Sequence, residues 1–157
     1  MMIKQTLLFC LLTITLQTTA CSADKEAVPS LLDIDNNAWT AEQMQGKWLI
    51  INYWAIWCGP CRDEIPELNH FATEFDNKVL VFGVNFDGIN GDKLRKQSDQ
   101  MGIEFISLAE DPASWFELTP SQVLPVTHII NPLGERVDSL IGPQTLESLK
   151  QAIEQSY

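Results

Sequence analysis

The chain has 157 residues, 45% of them hydrophobic and 20% charged, with a formal net charge of −11. That length suits one domain with a self-sufficient core. The charge argues against nucleic acid and anionic membrane surfaces as partners, and its even spread along the chain is that of a solvated surface.

Residues 1–20 read as a secretory signal. Lys4 supplies the positive start, and Leu7 to Leu16 is an apolar run broken by Thr13 and Thr15, short for a membrane span. Thr18-Thr19-Ala20-Cys21 places a small residue before a cysteine and resembles a bacterial lipoprotein processing site. Thr18 departs from that pattern, which usually has leucine there. Two outcomes stay open. Cys21 is lipidated and anchors the protein to a membrane, the favoured reading. Otherwise, ordinary cleavage near Ala20 or Ala23 releases it into the periplasm. Residues 21–30 form a polar tether, and 31–157 the folded domain.

In that domain Leu31 to Ile34 reads as a short strand before an Asp35-Asn36-Asn37 turn. Thr40 to Gln45 is ambiguous. Trp48 to Trp54 is apolar nearly throughout, as in a strand buried on both faces. Ile65, Leu68, Phe71, Ala72 and Phe75 then recur at helical spacing, with Pro66 bending the helix about a turn back. Val79 to Asn85 is a second buried strand, ended by Phe86-Asp87-Gly88. Asp92 to Met101 reads as a helix stopped by Gly102, Ile103 to Leu108 as a third strand, and Pro112 to Leu118 as a short helix. Val126 to Ile130 and Arg136 to Ile141 form a hairpin around Asn131-Pro132-Leu133-Gly134. After Gly142-Pro143, Leu146, Leu149 and Ile153 mark a last amphipathic helix. The order of strands and helices gives an α/β/α sandwich around a mixed sheet.

The chemistry concentrates where the first buried strand meets its helix, at Trp57-Cys58-Gly59-Pro60-Cys61. Cysteines at i and i+3 share one helix face and can close a disulfide there. Pro60 fits a first helical turn, so Cys58 sits at the helix N-terminus. Free N–H groups and the macrodipole there favour a thiolate, the nucleophilic form. Cys61, a turn deeper, is the resolving thiol. A structural bridge over so small a loop would stabilise little. Zinc lacks a second cysteine pair, and neither His70 nor His128 has ligand spacing to this one. Of the four cysteines, Cys10 falls in the signal and Cys21 at its end, which leaves this pair free for redox chemistry.

The stretch resembles the thioredoxin superfamily, and within it the TlpA/ResA-like disulfide reductases. Gly46 to Ala55 is similar to the family's strand into the site, and Cys61 to Leu68 to its helix start with Pro66. Val123-Leu124-Pro125-Val126-Thr127 is similar to its cis-proline loop. The helix and strand after Asp92 resemble the family's central insert. The resemblance implies a thioredoxin-like three-layer fold and a dithiol that needs no cofactor or metal. It also implies that Leu124 and Pro125 face Cys58 and pair with an extended substrate segment, with Trp57 as an apolar apron. Asn52 stands where thioredoxins usually carry a buried Asp. Glu64 shares the Cys61 face and matches the ResA-like glutamate that moves protons at the cysteines. An exposed first-turn glutamate is its bland alternative.

The implied function is reduction of disulfides in exported proteins, apocytochrome c among the family-level substrates, with a membrane thiol electron donor. A disulfide oxidase or isomerase of opposite poise, and a binding module with an incidental dithiol, are the rivals. A peroxidase is weaker, since peroxide reduction needs no CxxC helix start.

Overall fold

The computed structural model describes residues 30–119 and 121–155. The signal, the lipidation site at Cys21 and the tether up to residue 29 lie outside the described residues.

Two short strands, β1 (Ser30–Leu32) and β2 (Ala38–Thr40), form an antiparallel ribbon. Asp33 ties their turn. Its carboxylate accepts the Asp35 and Asn37 N–H groups at 2.9 Å and Trp39 Nε1 at 3.1 Å. Thr40 ends β2 and caps α1 (Ala41–Met44) with a capping box through Gln43. That reciprocal bonding resolves the ambiguous Thr40–Gln45 stretch.

The main sheet has five strands in the order β5-β4-β3-β6-β7. Its centre is β3 (Trp48–Trp54), buried at every position, as its apolar sequence requires. β4 (Val79–Asn85) runs parallel to it, and β6 (Val126–Ile130) antiparallel. β7 (Arg136–Ile141) completes the hairpin with β6. The helix between β3 and β4 is α2 (Gly59–Glu74), with Pro66 inside it. α3 (Gly91–Met101) ends at Gly102, whose φ of 73° supplies the left-handed turn that terminates a helix without a Cβ clash.

β5 is only Ile106–Ser107, paired parallel with Phe82 and Gly83 of β4. The longer strand expected over 103–108 does not form because its first N–H groups are used elsewhere. Ile103 donates to the Ser98 carbonyl to close α3, and Glu104 donates to Asn69 Oδ1 on α2. The helix expected over 112–118 is a single 3₁₀ turn, Pro112–Ser114, capped by Asp111. Glu117, at φ 50°, leaves the helical region.

Alternation along β3 splits the core. Trp48, Ile50 and Trp54 pack with α2, α3 and α4 (Leu146–Glu154) on one face. Leu49, Ile51 and Tyr53 pack on the other with Leu31, Met44 and Leu118. The flanking layers are therefore unequal: three helices on one side, and the ribbon, α1 and the 3₁₀ segment on the other. Between them the parallel strands β3 and β4 end side by side, with Trp54 opposite Asn85. Sites in α/β sheets lie beyond such carboxyl ends.

Candidate redox site

Cys58 is the N-cap of α2, so Gly59, Pro60 and Cys61 are the first three helical residues. The sulfurs of Cys58 and Cys61 form a disulfide with Cα atoms 5.3 Å apart. The Cys61 N–H donates to Cys58 Sγ at 3.1 Å. That N–H is one of the helix's unpaired first-turn donors, and it would stabilise a Cys58 thiolate after reduction. Cys61 is fully buried and Cys58 is 4% exposed, so an incoming disulfide meets Cys58 first.

Glu64 lies one turn below Cys61 and is 1% exposed, so it is no ordinary surface glutamate. Each carboxyl oxygen has a fixed donor. Asn52 Nδ2 on β3 donates to Oε1 at 2.7 Å, and the Gln144 N–H before α4 donates to Oε2 at 2.9 Å. Burial pushes the Glu64 carboxyl up from 4.5 to about 7, against the pull of the Gln144 and Asn52 donors. It can therefore gain or lose a proton near neutrality.

Asn52 had no assignable partner in the sequence. Its amide also donates to Thr127 Oγ1 at 2.9 Å, while its Oδ1 is buried without a hydrogen-bond partner among the described residues. An amide in that state holds a carboxylate but offers no proton of its own. Sequence reasoning missed Thr127 and Gln144 as parts of this network. The only signal was their place, just after Pro125 and just before the last helix.

The Leu124–Pro125 bond is cis. The Pro125 carbonyl accepts the Gly142 N–H at 2.9 Å, two residues before Gln144. The proline loop and the Glu64 carboxyl are thus held by one short segment, 142–144. Leu124 packs against the cluster that includes both sulfurs.

Trp57 is 63% exposed beside the helix start. Its Nε1 donates to the Asp87 carboxylate at 3.1 Å, and its ring meets Phe86 edge-on with centroids 6.4 Å apart. Phe86 and Asp87 were legible only as the end of a strand. Their register beyond Asn85 brings them to the cysteines. Val123 is also exposed, so Trp57, Phe86 and Val123 give the site an apolar rim. Trp54 belongs to the core.

Arg62 donates to the carbonyls of Ile56 and Gln100, both at 3.3 Å. His128 is buried on β6 with Nδ1 2.8 Å from Ser139 Oγ, and His70 is exposed beside Glu74. Among the described residues no group of three or more His, Cys, Asp or Glu could hold a metal ion. No helix there is long and apolar enough to cross a membrane.

Residues 22–135 match the model of the AhpC/TSA family. The chain belongs to the AhpC/TSA family. It is 26% identical over 129 residues to the thioredoxin-like protein YneN of Bacillus subtilis, covering 80% of this chain and 74% of that one. It is also 26% identical over 119 residues to the thiol-disulfide oxidoreductase ResA of Oceanobacillus iheyensis, covering 75% of this chain and 62% of the relative. The fold is similar to that of StoA from Bacillus subtilis, with a TM-score of 0.64 at 22% identity, over 80% of this chain and 96% of that one. The TlpA/ResA-like resemblance therefore holds, and the protein is a thiol–disulfide oxidoreductase of the thioredoxin fold.

Proposed function

We propose that this protein is an exported disulfide reductase, lipid-anchored at Cys21, that acts on disulfides of other exported proteins. Apocytochrome c is one family-level candidate, and a membrane thiol donor restores the dithiol. The carrying observation is how little stabilises a thiolate at Cys58. Arg62 donates to the Ile56 and Gln100 carbonyls, and the Cys61 N–H is the donor found on the Cys58 sulfur among the described residues. Strong oxidants need a strongly stabilised reduced form; a single N–H bond on the helix N-terminus favours a reducing couple. Gly59-Pro60 between the cysteines points the same way. Export rests on the Lys4 start and the Leu7–Leu16 run, and the anchor on Ala20-Cys21.

The reaction runs in balanced steps. The Cys58 thiolate attacks one sulfur of the substrate disulfide. That bond breaks, and the departing thiolate takes a proton. The Cys61 thiol gives its proton to ionised Glu64 and attacks Cys58 Sγ. The mixed disulfide breaks, and the second substrate sulfur leaves as a thiolate that takes a proton from water. Two electrons have passed to the substrate, and the Cys58–Cys61 disulfide is formed. A dithiol donor returns them, becoming a disulfide itself. Leu124 and Pro125 offer backbone to the substrate segment, and Trp57 offers an apolar contact.

The test is a peptide disulfide mixed with pre-reduced protein. Release of two thiols per Cys58–Cys61 pair is expected. Cys58→Ser should abolish it, and Cys61→Ser should stop at the mixed disulfide. No thiol release by the intact protein refutes the reading. Labelled palmitate that stays off the protein refutes the anchor.

A further inference from the structure

A cavity of about 220 Å³ lies on the sheet face opposite α2, lined by Tyr53, Phe86, Asp111, Leu118, Ser121 and His128 among others. The redox chemistry above makes no use of it, yet its walls continue into the redox site. Tyr53 precedes Trp54 on β3 and pairs with Val126, the residue after Pro125. Phe86 touches Trp57, the neighbour of Cys58. Ser121 begins the segment into the cis-proline, its hydroxyl bonded to Val123. A substrate strand laid along Val123 and Leu124 places alternate side chains about 7 Å apart. A side chain next to its disulfide can therefore reach this cavity.

We propose that the cavity is a subsite for a basic side chain, lysine or arginine, on the substrate segment that carries the disulfide. This rests on the disulfide-exchange reading above. Tyr53, Phe86 and Leu118 provide apolar and aromatic walls for an aliphatic stem. Asp111 provides the counter-charge. Its Oδ1 accepts the Tyr53 hydroxyl at 2.6 Å and the Ala113 N–H at 2.9 Å, and among the described residues Oδ2 is left for a donor that enters.

The other ionisable groups in the cavity do not offset that charge. Tyr53 keeps its proton, because burial and then Asp111 raise its affinity for it. His128 stays neutral: burial, with Arg136 adding, lowers its proton affinity against the opposing pull of Asp111. Among the described residues no Lys or Arg lines the cavity; Arg136 lines a separate depression. An ammonium or guanidinium beside Asp111 and the aromatic faces is stabilised, whereas a carboxylate is repelled.

The test compares three otherwise identical peptide disulfides with Lys, norleucine or Glu two residues from the cysteine. With pre-reduced protein, kcat/KM should be about tenfold higher for Lys than for norleucine, and lower still for Glu. Asp111→Asn should bring Lys and norleucine together, and Asp111→Lys should reverse the order in favour of Glu. Glu110→Gln, an equal charge change outside the cavity lining, should leave the order intact. Equal rates for all three peptides, or discrimination that survives Asp111→Asn, overturns the subsite while the exchange reading stands. Binding of the cysteine-free Lys peptide to the oxidised protein, followed by amide chemical shifts, separates the two ideas. If it perturbs Tyr53 and Asp111 while no disulfide is ever reduced, the exchange reading fails and the subsite stands.

Discussion

Replacing Glu64 by Gln alters one buried group and should change stability and chemistry together. The carboxyl, pushed from 4.5 up to about 7, stays protonated in the folded chain over an interval where the unfolded chain has ionised. The native state binds the extra proton there, so wild-type stability falls as pH rises from 4.5 to 7. At roughly 1.4 kcal/mol per pH unit, the ionised carboxyl leaves the native state about 3 kcal/mol less stable at pH 8 than an uncharged isostere. The variant can keep its contacts. Its amide oxygen accepts the Gln144 N–H, and its amide nitrogen meets Asn52 Oδ1, which has no partner among the described residues, once the Asn52 amide turns over and the Thr127 hydroxyl becomes the donor to Asn52. Urea unfolding of oxidised protein at pH 4 to 8 should show equal stabilities at pH 4. The gap should open in favour of Glu64→Gln up to pH 7, then stay constant. In the reduced protein the variant should also resolve a mixed disulfide about 100-fold more slowly at pH 7.5, for want of a base at Cys61. Parallel stability curves, with unchanged resolution rates, would refute a proton-exchanging Glu64.

Three further outcomes follow from the same contacts. Asn52→Leu removes the donor to Glu64 Oε1, so the Glu64 midpoint should rise by about one to two pH units above that of wild type, read by carboxyl carbon NMR. Gly83→Ala should cost about 1–3 kcal/mol in denaturant unfolding, because its Cβ would lie 2.8 Å from Phe105 and 3.2 Å from Trp54 Nε1. Trp57→Ala removes an exposed ring held by the Asp87 carboxylate and the Phe86 edge, so stability should move by less than about 1 kcal/mol while kcat/KM for peptide disulfides drops.

Much of this was legible because local and tertiary preferences agree. β3 and β4 are central strands with apolar residues on both faces, and their ends are those of the apolar runs. Cys58, Pro60 and Cys61 fix the start of α2 by capping chemistry alone. The failures occur where a backbone group had a distant partner. Glu104 gives its N–H to Asn69, thirty-five positions away, and β5 shrinks accordingly. No local pattern could say that the Gln144 N–H would cross eighty positions to Glu64, or that Asn52 would become its second donor. The cavity at Tyr53 was invisible for the same reason, since Asp111 and His128 converge on it from separate segments.

The reduction potential of the Cys58–Cys61 couple tests the reductase reading most directly. Equilibration in a thiol redox buffer, alkylation and mass measurement of the peptide that carries both cysteines would give it. A value near that of thioredoxin, about −270 mV, is predicted, well below the glutaredoxins and far from the strong oxidants near −120 mV. A value near the latter would reverse the electron flow and make disulfide formation the task of this protein.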